Sequence, residues 1–308
     1  MRKFIKYFYN ETKIGGLLLD PSKILYQYYR TRMIPEKKYI KEQFKVILNY
    51  DLNLDNPKTL NEKIQWLKFN DRRALRTICA DKYAVREHIK ERIGEKYLIP
   101  LLYRTENVND IYPDNLPNEP FVIKTNHDSG GVVLVQDKNN IDWEEIRKDL
   151  SKKLKTNYYY TGKEWQYKNI KPCIIVEELL LDENNNIPSD YKLHCFNGKL
   201  KFTQVDTGRF EKHERHLHDT NWNLIDCQWF FKSGKGVEKP KLMNKMQELA
   251  EELAKDFDYV RIDLYNIGEK IYFGEITFTP GSGWEFFSPL ECDRKFGDML
   301  TLTKRHSL

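Results

Sequence analysis

Two neighbouring segments near the end of this 308-residue chain carry acidic side chains inside otherwise apolar runs. Val260-Arg261-Ile262-Asp263-Leu264-Tyr265 places Arg261 and Asp263 on one face of a strand. Tyr272-Phe273-Gly274-Glu275-Ile276-Thr277 places Phe273, Glu275 and Thr277 on one face of the next. Burying a carboxylate is costly without a partner. Two hard carboxylates on adjacent strands suit magnesium, which takes one or two carboxylates together with substrate phosphates. Asp263 and Glu275 meet only if the connecting loop has an odd number of residues or a strand contains a bulge. A symmetric turn pairing Tyr265 with Lys270 sends them to opposite faces.

Other segments hold further candidates. Lys124 ends the apolar run Phe121-Val122-Ile123 beside a loop whose Ser129, Gly130 and Gly131 N–H groups can approach phosphate oxygens. The alternative is an ordinary hairpin with an exposed lysine. No GxxxxGK[ST] loop occurs. Glu177, Glu178 and Leu179 close the buried run Ile174-Ile175-Val176, where a carboxylate and extended backbone can meet an adenine edge or simply be solvated. Asp190, Lys192 and His194 share a strand face that is either solvent or the mouth of a cleft. Arg209 follows a strand at a turn and can clamp a carboxylate or phosphate bidentately. His216 and His218 share a face, but Lys212 and Arg215 beside them oppose a metal cation. No GxSxG motif is present.

The elements that must position these groups change character along the chain. The first hundred or so residues read as helical. Thr59 and Glu62 have capping-box spacing, with Leu60, Ile64 and Leu67 forming an apolar stripe behind them. A helix starting at Asp81 buries Val85, Ile89 and Ile93 and stops at Gly94. Strands dominate from Pro120, interrupted by helices over 141–155 and 242–257. Asn197-Gly198 marks a two-residue hairpin, a second hairpin turns around Asn266 to Glu269, and Tyr158–Lys171 and Gln204–Asn223 read as loop or irregular strand. The pattern is α+β.

The chain has 51 basic and 46 acidic side chains, a net charge of +5 that is thin for a nucleic-acid binder. Its five cysteines include no CxxC pair, so no disulfide and a reducing, cytoplasmic compartment are expected. No apolar run approaches the roughly 20 residues of a membrane span. The basic and aromatic start, Met1 to Tyr9, offers either a peripheral contact with an anionic membrane through residues 1–30 or a helix packed on its own protein.

Taken in order, Asp81-Lys82, Phe121-Val122-Ile123-Lys124, Ile174-Ile175-Val176-Glu177-Glu178, Asp190-Tyr191-Lys192, Arg261-Ile262-Asp263 and Gly274-Glu275-Ile276-Thr277 with Pro280-Gly281 resemble the ATP-grasp superfamily. Asp190 to Lys199 and Phe273 to Phe278 are similar to its teichuronopeptide-biosynthesis (TupA-like) branch, and the resemblance covers about residues 50 to 298. It implies two α+β subdomains gripping ATP: a helical region over 1–80, then a grasp domain over 81–308 with a lid near 106–180 and a catalytic part near 181–298.

On this resemblance Lys82, Lys124 and Lys192 meet ATP phosphates and Ser129 to Gly131 form the phosphate loop. Glu177 and Leu179 meet adenine, with Glu178 beside them, and Asp190 lies near the ribose. Asp263, Glu275 and Thr277 face magnesium, although Thr277 stands where the superfamily carries a metal-binding Asn. Arg261 steadies an acyl phosphate. The implied activity is an ATP- and Mg2+-dependent carboxylate–amine ligase that joins an amino acid or other amine to a uronic-acid carboxylate of an acidic sugar or polysaccharide precursor. A sugar kinase or glycosyltransferase-type transferase of the same pathway, and a non-catalytic nucleotide-binding scaffold, are the alternatives.

Overall fold

The computed structural model describes residues 25–128, 130–208 and 212–303. Ser129, Arg209 and most of the proposed membrane-contacting segment, residues 1–24, lie outside the described residues. The chain divides into two compact units, Met1–Asp51 and Leu52–Leu308. In the first, α1 (residues 25–32) and α2 (Glu36–Leu48) are described. Tyr39, Ile40 and Phe44 of α2 are buried, while Leu25, Tyr26, Tyr28, Tyr29 and Met33 are exposed. No helix among the described residues is long and apolar enough to cross a membrane.

The second unit begins with α3 (Leu60–Asn70), α4 (Ala74–Ala80) and α5 (Val85–Arg92). Thr59 and Glu62 close the capping box expected of them. Asp81 accepts from the N–H groups of Tyr83 and Ala84 ahead of α5, and Gly94 ends that region at φ 111°. A four-stranded antiparallel sheet follows in the order β1 (Leu101–Thr105), β4 (Ile174–Glu178), β2 (Phe121–Thr125), β3 (Val133–Val135). It packs on α6 (Trp143–Leu154) through Ile111, Phe121, Ile123, Leu150 and Val176. Between β3 and β4, part of the stretch read as loop is helical: α7 (Tyr159–Gly162) and a 3-10 turn at Trp165–Tyr167.

A six-stranded sheet forms the rest of the body. Its order is β11 (Lys270–Thr277), β10 (Tyr259–Ile267), β5 (Asp190–Phe196), β6 (Lys199–Thr207), β7 (Glu214–Asp219) and β9 (Lys232–Ser233). Regular strand therefore replaces much of the segment expected to be irregular between Gln204 and Asn223. There β6 and β7 pair, with Gln204 opposite Leu217 and Asp206 opposite Arg215. The Asn197-Gly198 hairpin is as expected, with Phe196 opposite Lys199.

One face of this sheet is apolar and packs Leu193, Cys195, Ile262 and Leu264 against α8 (Met243–Ala254). On the opposite face, Phe196, Phe202 and Tyr259 pack under α3 and α9 (Glu291–Asp298).

The cysteine expectation is overturned. Cys227 and Cys292, 65 residues apart, form a disulfide. The short pairing of β8 (Gln228–Trp229) with β12 (Phe287–Ser288) brings the first turn of α9 to Cys227, a juxtaposition that sequence spacing does not encode. Cys79, Cys173 and Cys195 are free and buried.

Candidate active site

The β10–β11 hairpin turns on two residues, Gly268 and Glu269, because Ile267 pairs with Lys270. That register pairs Leu264 with Phe273 and, continued, would set Asp263 opposite Gly274. A bulge at Gly274 shifts it, so Asp263 faces Glu275. Glycine suits this position: a Cβ there would stand 3.1 Å from both the Asp263 carbonyl and the Tyr265 ring.

With the bulge in place, Glu275, Asp263, Lys192 and Gln204 run across four strands in one row, and Thr277, Arg261 and His194 run beside them. Arg261 is the hub. Its Nε donates to Asp263 Oδ1 at 2.7 Å, and its Nη2 donates to Asp263 Oδ2 at 2.6 Å, Glu275 Oε1 at 2.9 Å and Thr277 Oγ1 at 3.0 Å. Thr277 also donates to Glu275 Oε1, at 2.9 Å. Lys192 Nζ lies 3.4 Å from Asp263 Oδ2 and contacts Asp190.

Burial pushes the Asp263 carboxyl up to about 6, against the pull of Arg261 and Lys192. Burial would raise Glu275 too, but Arg261, Lys82 and Lys192 outweigh it and bring Glu275 down to about 2. His194 sits under this row between Tyr259 OH and Gln204 Oε1. Burial, then Arg261, holds it well below the usual imidazole range, so it is a neutral support.

The four-stranded sheet contributes a second charged group. Lys124 meets Glu177 at 2.5 Å, and Arg86 from α5 meets the same carboxylate at 2.9 Å. Glu177 is thus held between two cations in this structure rather than presented alone to an adenine. Nothing local in the sequence distinguishes Arg86, since it lies on a helix marked only by Val85 and Ile89. The Lys82 N–H donates to the Asn126 carbonyl at 3.0 Å, which joins the start of α5 to the end of β2. The Lys82 ammonium contacts the Asp128 carbonyl. Burial lowers the Lys82 pKa against the opposing pull of Glu275 and Asp128.

Gly130 and Gly131 adopt φ of 84° and 77°, and the Gly131 carbonyl accepts from Lys153 at 2.8 Å. The Leu179 N–H donates to the Pro120 carbonyl at 3.1 Å. Glu178 is exposed. With Leu180, Leu181 and Glu183 it forms one wall of a cleft of about 350 Å3 whose other wall is Ile267 to Lys270 and Tyr272.

On the same face of the six-stranded sheet as Arg261, toward its β7 end, Arg215 donates to Asp206 at 2.8 Å and to Glu285 at 2.9 Å. Sequence reasoning missed this cluster, because Asp206, Arg215 and Glu285 come from separate elements. His216 and His218 are occupied locally. His216 pairs with Thr207 Oγ1 and the Gly236 N–H, and His218 with the Trp222 carbonyl and the Val237 N–H.

A four-stranded sheet and a six-stranded sheet, with paired carboxylates on the last hairpin and Lys124 and Lys192 supplied one from each, make up the ATP-grasp fold. Residues 62–301 match the TupA-like ATPgrasp family, and the chain belongs to it. No curated protein matches. Among solved structures it is similar to a D-alanine–D-alanine ligase from Bacillus anthracis complexed with ATP (19% identity, TM-score 0.38, 65% of this chain and 55% of that one). It is also similar to a RimK domain ATP-grasp protein from Sphaerobacter thermophilus (12%, TM-score 0.41, 74% and 70%). A third is N5-carboxyaminoimidazole synthase from Aspergillus clavatus in complex with ADP and an aminoimidazole ribonucleotide (13%, TM-score 0.40, 67% and 45%). The match with the D-alanine–D-alanine ligase thus spans little more than half of that enzyme's length.

Proposed function

We propose that the protein is an ATP-dependent carboxylate–amine ligase that forms an amide through an acyl phosphate. We further propose that it joins an amino acid to a uronic-acid carboxylate of a bacterial surface-polysaccharide precursor. The observation that carries the reading is the charged row. Asp190, Asp206, Asp263, Glu275 and Glu285 exceed Lys192, Arg215 and Arg261 on one sheet face, while Lys82 and Lys124 approach from the lid side. Such a face accepts a polyphosphate only with added positive charge.

The donor set fits magnesium: Asp263 and Glu275 are adjacent hard carboxylates, with the Thr277 hydroxyl beside them. Bound there, magnesium would neutralise charge on the transferring phosphoryl group. The base of ATP would take the cleft between Glu178 and the 267–270 turn, with Asp190 toward the ribose. Lys82, Lys124 and Lys192 would hold the phosphates. The substrate carboxylate attacks the γ-phosphorus and ADP departs. Arg261, freed to share its donors, holds the acyl phosphate while the amine attacks its carbonyl carbon and phosphate leaves. An acyl phosphate hydrolyses readily, so closure of the lid sheet excludes water.

Incubation with MgATP, a panel of uronic-acid sugars and a panel of amino acids, read by mass spectrometry, tests this. An amide with stoichiometric ADP is expected. Phosphorylated sugar without amide would make the protein a kinase, and neither product would make it a scaffold.

Peripheral attachment to the cytoplasmic membrane face through residues 1–30 belongs to the same proposal. The first 51 residues hold 11 basic and 5 acidic side chains, so they carry the chain's whole positive excess. Tyr26, Tyr28 and Tyr29 stand exposed beside Arg30 and Arg32.

A further inference from the structure

Beyond Thr277 the chain enters a turn at Pro280–Gly283 in which Gly281, Ser282 and Gly283 have φ of 52°, 56° and 66°. Glycine tolerates this region; Ser282 does so at a cost, and such backbone persists only where its surroundings impose it. The surroundings are two sets of buried polar side chains that grip the turn from opposite sides.

The first set lies on α3, at i, i+4 and i+7. Asn61 Nδ2 donates to the Glu285 carbonyl at 2.9 Å. Gln65 Nε2 donates to the Ser282 and Gly283 carbonyls, both at 2.8 Å. Lys68 Nζ donates to the Ser282 carbonyl at 2.6 Å and the Gly162 carbonyl at 3.0 Å, with the Trp284 ring 4.6 Å away. All three side chains are buried. The second set is Glu164, also buried, which accepts from Ser282 Oγ at 2.6 Å and contacts Thr279 Oγ1. Gln166 donates to Thr279 Oγ1 at 3.0 Å. The donors on α3 meet carbonyls, and the acceptor on the other side meets hydroxyls.

Space is matched to these bonds. A Cβ at Gly283 would stand 2.6 Å from Gln65 Nε2, and one at Gly162 would stand 2.7 Å from Ser282 Oγ. A second stripe of α3, Leu60, Ile64 and Leu67, already anchors the helix in the core. Polar residues on the remaining buried stripe are not needed to bury surface. A buried polar network instead selects one geometry, and here the Asn61, Gln65 and Lys68 donors are paired, while Gln65 Oε1 is left without a partner.

We propose that α3 is a positioning element for the 279–285 loop, and that Asn61, Gln65 and Lys68 set where this loop stands beside Glu275 and Thr277. The proposal rests on the ligase reading only in taking the loop as a wall against which the acceptor is held. It gives the helix ahead of the ATP grip a task in the reaction rather than in ATP binding.

Gln65→Glu, which turns a donor into an acceptor facing two carbonyls, and Lys68→Met, which keeps the stem and removes the ammonium, are the test. Gln65→Met is the milder variant should either fail to fold. Three measurements are made on the full chain: amide hydrogen exchange by peptide, MgATP affinity, and ADP release with the amine and carboxylate panels. We expect exchange in peptides covering 279–286 to rise at least tenfold while those covering 259–277 are unchanged. MgATP affinity should stay within twofold, and acceptor-dependent ADP release should fall at least tenfold through a raised acceptor KM.

Unchanged exchange at 279–286, or a rise of equal size throughout the chain, overturns the proposal. So does a loss of MgATP affinity as large as the loss of turnover. If the wild-type chain releases no ADP with any pair, the ligase reading fails, and exchange with MgATP affinity still decides the positioning role.

Discussion

Replacing Arg261 with methionine should make the stability of this protein depend strongly on pH. The guanidinium is bonded to both oxygens of Asp263 and to Glu275 and Thr277, and the Asp263 side chain is 2% exposed. Removing one partner of a buried ion pair costs about 3–5 kcal/mol, because the remaining charge is stranded. Asp263 can avoid that cost by taking a proton, and burial already lifts it to about 6 with Arg261 present. Without Arg261 it rises further.

Between the unfolded and folded pKa values the folded state binds more protons. Stability contributed by Asp263 therefore falls as pH rises through that window. In the wild type the fall ends near pH 6; in the variant it continues above that. Glu275 works in the opposite sense. Its depressed pKa stabilises the fold above the unfolded carboxyl value, and this is lost as pH falls toward about 2. At 40% exposure its share is small after solvent screening.

The expected loss in Arg261→Met is about 3–5 kcal/mol near pH 7.5 and up to about 2 kcal/mol less near pH 5, read by urea unfolding followed through tryptophan fluorescence. Magnesium at about a hundredfold over its Kd should return about 2.7 kcal/mol to the variant. A loss below about 1 kcal/mol, or one equal at both pH values, would show that Asp263 does not depend on this guanidinium.

Lys124→Ala and Glu275→Ala should each lower ADP release by at least about 100-fold with the fold retained, since each lies at the phosphate end of the proposed site; normal turnover in either would remove it from the site. Gly297→Ala should destabilise by about 1–3 kcal/mol, since its Cβ would collide with backbone at Lys58 and stand 2.7 Å from the Thr59 carbonyl carbon, neither of which can rotate away. A thermal melt lowered by several degrees is the expected reading, and an unshifted melt would contradict this packing of α9 on the start of α3. Thiol titration of the denatured, unreduced protein should count three thiols, and five after reduction; five at the outset would mean that the Cys227–Cys292 bond is absent.

Much of the scaffold was legible from local pattern. Thr59 with Glu62 announces α3, Gly94 ends the region of α5, and Asn197-Gly198 turns β5 into β6, because capping and turn chemistry act over three or four residues. The strand faces of Arg261, Asp263, Glu275 and Thr277 follow from a period of two. Arg86 at Glu177, the Arg215–Asp206–Glu285 cluster and the disulfide were not legible, since each joins residues from separate elements.

The division between the two levels is sharpest at the last hairpin. Residue order alone supplied the carboxylates, their neighbours and the family likeness, and it left open whether Asp263 and Glu275 share a face. The folded chain decides that, because a bulge forms only where the partner strand and its packing make room, and here it falls on Gly274. Likewise the local pattern of α3 marks only the apolar stripe Leu60, Ile64 and Leu67, and nothing in it singles out Asn61, Gln65 and Lys68. Only their burial against the 279–285 loop shows them turned inward, since burial is a property of what a helix meets and not of its own sequence.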